Sequence, residues 1–93
     1  MAEKSKYILE LYIAGQLPNS IRAIENLNKI LSDELKGLYE LKIIDVLKNP
    51  QLAKDEKILV TPTLARVVPG PIKKRVIGDL GNKKRVLAEL DLF

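Results

Sequence analysis

Apolar and polar positions divide this chain into a first half with one reading and a second half with two. Residues 7–14, YILELYIA, are apolar except for Glu10, the pattern of a strand covered on both faces beside parallel neighbours. A central strand is expected there. GQLPNS makes the turn; Pro18 loses nothing at a helix start by lacking an N–H, and Asn19 or Ser20 is placed to cap. Ile21, Ile24, Leu27, Leu31 and Leu35 then recur as one helical stripe that Gly37 ends. From residue 39 to 45, Tyr39, Leu41 and Ile43 alternate with Glu40 and Lys42, as in a strand with one more polar face. The resulting β-α-β unit implies two parallel strands joined by a right-handed crossover.

Beyond residue 45 the signals compete. Asn49 and Pro50 start a short helix in NPQLAKDEK that offers only Leu52 and Ala53 to a core, so it is weakly anchored. LVTPTLARVVPGPIKKR, residues 59–75, has the β-branched content of a strand, yet Pro62, Pro69 and Pro71 interrupt it. It divides most simply into strands over 63–68 and 72–77 around a Pro-Gly-Pro turn. In RVLAELDLF, Val86, Leu87, Leu90 and Phe93 fit a helix, whereas Val86, Ala88, Leu90 and Leu92 fit a strand. Intrinsic propensity and the Gly81-Asn82 start favour a helix over 82–92.

The order β-α-β-α-β-β-α is that of a thioredoxin-like α/β domain, and Pro62 in TPT stands where that fold commonly has a cis proline. Its redox cysteines would follow the first strand, where this chain has AGQLPNS. The resemblance is to the scaffold without its chemistry.

Composition narrows the function. The 93 residues, 46% hydrophobic, suit a single domain with a modest core. Charges interrupt every apolar run before the roughly 20 residues a membrane helix needs, so no membrane association and a cytoplasmic location are expected. Cys and His are both absent, which removes thiolate and imidazole catalysis and the commoner zinc sites. The scattered glycines form no phosphate loop. The expectation is a non-enzyme without catalytic residues, cofactor or metal.

The net charge of +4 is uneven: residues 1–50 carry seven basic and seven acidic side chains, residues 51–93 nine and five. An acidic partner follows from that asymmetry. Nucleic acid is disfavoured, because only Tyr7, Tyr12, Tyr39 and Phe93 could stack bases beside the short basic runs.

LYIAG, PNSIRAI, YELKIIDVLKNPQLA, KILVTPTLARV and VIGDL, in this order and spacing, resemble the KaiB family of circadian clock proteins. The resemblance covers nearly all of residues 9–93. It implies a metamorphic, fold-switching domain with a ground state ordered β-α-β-β-α-α-β, a self-associated dimer or tetramer, and a thioredoxin-like monomer. That monomer docks on the N-terminal ATPase ring of the hexameric ATPase KaiC, competes there with a clock-output sensor kinase and recruits KaiA. An alternative is a paralogue outside the oscillator that serves another KaiC-type ATPase or a stress response. On this reading residues 1–6 are a disordered N-terminus, 7–45 the fixed β-α-β half and 46–93 the switching half.

The resemblance also carries site residues. Arg22, Lys57, Arg66, Lys73, Lys74 and Arg75 stand where the family presents basic side chains to acidic partners, and Lys42 where it meets KaiA. Pro62, Pro69, Pro71 and Glu89 belong to the switching half. The chain departs from the family at Glu40, usually a small residue. PGPIKKRVIGDL holds one extra residue, which would need a bulge or a register change. Glu89 replaces a helix-weakening glycine, which favours the thioredoxin-like form.

Overall fold

The computed structural model describes residues 7–70 and 73–92; the expectations for residues 1–6, Pro71 and Phe93 lie outside them. The elements are β1 (Tyr7–Ile13), α1 (Pro18–Glu34), β2 (Tyr39–Asp45), α2 (Pro50–Asp55), β3 (Thr63–Val68), β4 (Lys74–Ile77) and α3 (Lys83–Glu89). One sheet orders them β2-β1-β3-β4. β1 runs parallel to β2 and antiparallel to β3, which runs antiparallel to β4. The central strand and the parallel crossover are as the sequence implies. No helix among the described residues is long and apolar enough to cross a membrane.

β1 alternates between two covered faces. Tyr7, Leu9, Leu11 and Ile13 join Leu64 of β3 and Val76 of β4 in one core, closed by Ala23, Leu27, Ile30 and Leu31 of α1 and by Val86, Leu87, Leu90 and Leu92 at the C-terminal end. Both long-range helices therefore lie on one face. Side chains of opposite parity, Tyr12 of β1 and Thr63 and Ala65 of β3, are also buried and face the other way.

The helix stripe differs from the expected one. Ile21 is exposed and Ile24 only partly buried, whereas Ser20, Ala23 and Ile30 turn inward. The apolar periodicity missed this rotation because two inward residues are small and one is polar. Ser20 does not cap α1, and neither does Asn19: Leu17 is the N-cap residue and provides no side-chain bond. The Ser20 hydroxyl accepts instead from the Ala14 N–H at 3.3 Å. Gly37, at φ +85°, follows the helix end as expected.

α2 contains no buried residue. It ends in a Schellman motif: Ile58 N–H donates to Ala53 O at 2.9 Å and Lys57 N–H to Lys54 O at 3.1 Å, with Lys57 left-handed at φ +56°. α3 ends the same way, Leu92 N–H reaching Leu87 O and Asp91 adopting φ +50°. That motif stops the helix at Glu89, short of the expected residue 92, while Leu90 and Leu92 are carried into the core. Asn82 caps its start through a 3.0 Å bond from Arg85 N–H.

In the β3–β4 ladder the pairs from Thr63↔Ile77 to Arg66↔Lys74 run without interruption, so no bulge or register change falls within them. The β1–β3 ladder shifts between Ile8 and Leu9, where β3 advances from Val68 to Arg66.

Glu89 supports α3 with an i,i+4 ion pair to Arg85 at 3.3 Å. Glu89→Gly is expected to lower stability by roughly 0.5–1 kcal/mol, read by urea unfolding, with exchange protection lost first over residues 83–92. Unchanged protection there would refute a helix-supporting role for Glu89.

Candidate partner-binding surface

The basic residues singled out by the sequence occupy five different settings. Lys73 and Arg75 converge on the end of α2. Lys73 Nζ lies 2.6 Å from Glu56 Oε1, and Arg75 Nη2 donates to the Glu56 backbone carbonyl at 2.6 Å and Nη1 to that of Lys57 at 3.4 Å. These carbonyls lie at the negative end of the helix, where a cation is favoured. Arg75 pairs with Ala65 and so faces away from the α1 side of the sheet. Polar ties from Arg75 of β4 and from Lys73 just before it thus hold a helix that has no buried apolar anchor.

The Lys73 hydrogen bond, reinforced by Lys73 and Arg75 charge, holds the Glu56 carboxyl below its ordinary value of 4.5 against the opposing effect of desolvation. Lys74 pairs more loosely with Asp91, at 3.6 Å. Arg22 bonds Asn19 and approaches Asp79 Oδ2 at 3.6 Å, while Asn26 donates to the Asp79 carbonyl at 2.8 Å. Lys57 and Lys42 are exposed. Lys42 lies on β2, at the sheet edge, opposite Glu10; Glu40 is exposed on the same strand.

Arg66 is buried rather than displayed: it is 6% exposed, and its guanidinium donates from Nε to Leu90 O at 2.5 Å and from Nη1 to Pro69 O at 2.6 Å. In this arrangement it is turned inward, away from a partner. Its place in the Leu9 register puts it on the α1 and α3 face, where the unsatisfied C-cap carbonyl of α3 needs a donor. A basic residue in a strand reads as surface because its carbonyl partners are invisible in local sequence.

Of the prolines that the sequence assigns to a switching half, Pro69 meets this clamp through its carbonyl and Pro62 immediately precedes β3. The Thr61–Pro62 and Val68–Pro69 bonds are cis. Pro62 is buried and its carbonyl accepts from Gly78 N–H at 3.0 Å.

Several residues that sequence reasoning passed over organise this surface. Asp45 Oδ1 accepts from Gly15 N–H at 3.1 Å and Leu47 N–H at 2.9 Å, locking the loops after β1 and β2 together; an Asp at a strand end is a turn signal that could have found it. Glu56 gave no signal, because its partner lies 17 positions away. Tyr12 donates to Glu10 Oε1 at 2.8 Å. Burial first, then Glu10 and Glu56, push its phenol upward, with Arg75 opposing. Tyr7 and Tyr12 are both buried, which withdraws them from base stacking. Among the described residues, no cluster of three acidic, His or Cys side chains could hold a metal.

A β-α-β-α-β-β-α chain with a cis proline before β3, and Ser20 rather than a thiol beside the loop after β1, is a thioredoxin-like domain without thioredoxin's redox pair. Solved structures agree on the fold. Mitochondrial thioredoxin 3 of Saccharomyces cerevisiae matches with a TM-score of 0.75 at 16% identity, over 96% of this chain and 80% of its own. The N-terminal domain of Synechococcus elongatus SasA matches at 0.75 and 23%, over 100% and 90%.

The KaiB domain model matches residues 10–92. The circadian clock oscillator protein KaiB of Thermostichus vulcanus is 60% identical over 90 residues, 97% of this chain and 82% of that protein. Its counterpart in Prochlorococcus marinus MIT 9303 is 56% identical over 93 residues, 100% of this chain and 77% of that protein. The chain belongs to the KaiB family.

Arg66→Met leaves two carbonyls without their charged donor and is expected to cost about 2–3 kcal/mol, read by urea unfolding, with a loss below about 0.5 kcal/mol counting against the clamp. The Glu56 tie has its own pH signature. Because the folded carboxyl titrates below 4.5, its stabilisation is present above that value and is lost as pH falls through the lower folded value. Exchange protection of residues 50–58 should show this loss, and Glu56→Gln should remove it.

Proposed function

We propose that this chain is a non-enzymatic circadian clock adaptor that binds the N-terminal ATPase ring of a KaiC-type hexamer in its thioredoxin-like state. Through that binding it modulates KaiC phosphorylation and sequesters KaiA, in competition with a clock-output sensor kinase. The carrying observation is the 60% identity to circadian clock oscillator proteins along 97% of the chain. The proposal locates the protein in the cytoplasm and includes a self-associated ground state, dimer or tetramer, ordered β-α-β-β-α-α-β. Residues 46–93 would repack between the two forms. Two features support that division: α2 lacks a buried anchor, and α3 is only seven residues long.

When only a fraction of molecules is binding-competent, apparent affinity falls by that fraction, and slow conversion delays capture. Of the basic residues that the sequence singles out, Lys57 and Lys42, exposed and outside the ion pairs described above, are the most available to the partner in this form. A second reading, a KaiB paralogue serving another ATPase, rests on Glu40, which adds an acid to the exposed β2 edge beside Lys42.

Size-exclusion chromatography with light scattering, after long incubation with hexameric KaiC and nucleotide, tests the proposal. Co-elution should develop slowly, and Lys57→Glu should weaken the complex about tenfold or more by setting like charges together. A stable monomer that never co-elutes would reject the oscillator role and favour the paralogue reading.

A further inference from the structure

Lys73 and Arg75 stand at positions that the family resemblance assigns to an acidic partner, yet both are already occupied from within. Lys73 holds the Glu56 carboxylate at 2.6 Å, and Arg75 holds the main-chain carbonyls of Glu56 and Lys57. We infer that Glu56 is an intramolecular stand-in for the partner's carboxylate, an autoinhibitory contact that an acidic protein surface must displace to reach Lys73. For the partner's identity this rests on the KaiC-type reading; the internal competition does not.

Three observations carry the inference. The Lys73–Glu56 contact is a short charge-assisted hydrogen bond, the kind that an incoming carboxylate would form. It is nevertheless accessible, the Lys73 side chain being 41% exposed and that of Glu56 26%, so a second carboxylate can approach without opening a core. Release is also local. α2 has no buried residue to uncover, and its end remains closed by the Ile58 and Lys57 bonds and by Arg75, all of which use main-chain atoms.

The separation of side-chain from main-chain ties makes Glu56 removable. Glu56→Gln frees Lys73 but leaves Arg75 its two carbonyls, so α2 stays docked. Asp55 is the matched control. Its neutralisation removes one negative charge a single residue away, and its carboxylate accepts from Gln51 Nε2 at 2.8 Å rather than from Lys73. Glu56→Asp keeps the charge but withdraws the carboxylate by one methylene, and it guards against misfolding in the neutral variant.

The test titrates a hexaglutamate peptide into the full 93-residue chain, with NMR shifts of residues 73–75 as the readout. An exposed ion pair is worth little, so Glu56→Gln should bind about two- to fivefold more tightly than the unaltered chain. Asp55→Asn should stay close to the unaltered chain and Glu56→Asp should fall between. Equal gains in Glu56→Gln and Asp55→Asn would reduce the effect to net charge and overturn the inference, as would no gain in Glu56→Gln.

The same variants are then mixed with the KaiC hexamer. A gain confined to the Glu56 variants in both assays supports autoinhibition at the ring-binding site. A peptide gain without ring binding by any variant upholds the autoinhibitory contact and overturns the KaiC-type partner.

Discussion

Everything in this fold leans on the double burial of β1. Leu9 and Leu11 are wholly enclosed on the helix side, while Tyr12, facing the opposite way, is 1% exposed. A strand covered on both faces has to pair on both edges, because an unpaired peptide group in such a place has no water to turn to. β2 and β3 supply the pairing, one parallel and one antiparallel. The crossover helix α1 must then lie on the face that Leu9 and Leu11 present, and α3 closes the remainder of that face.

The two faces are secured by different physics. On the α1 and α3 side, packed aliphatic side chains supply the holding force, each worth on the order of 1.5–3 kcal/mol when fully buried. On the α2 side, the helix is fastened by Lys73, Arg75 and the Glu56 carboxylate, in a setting where ion pairs gain little and exchange partners readily. Arg66 is the exception that links the regimes: a charged group enclosed in the apolar side, tolerated because two carbonyls accept from it. It joins β3 to the end of α3 and to the turn at Pro69.

What could be read from the residues follows the same division. The β-α-β half was legible because YILELYIA and the residue 39–45 alternation are long, periodic signals. The element order of the second half was legible too, since propensity correctly favoured a helix at residues 83–89 over the competing strand pattern. The phase of α1 was not, because Ser20 and Ala23 are inward without being strongly apolar. The helix end at Glu89 depends on Asp91 taking a left-handed conformation, which no hydrophobic pattern encodes. Charge was the least legible property: the KKR run at 73–75 looks like one basic patch, but each member meets a different acceptor, from Glu56 to Asp91.

A helix fastened by surface polar groups is also free to drift in sequence. Residues of α2 can be exchanged at little packing cost, since none is fully buried. The outward character of this segment can therefore diversify between lineages by single codon changes while the α1 and α3 side stays fixed. Such a segment is where surface chemistry can change fastest at the least risk to folding.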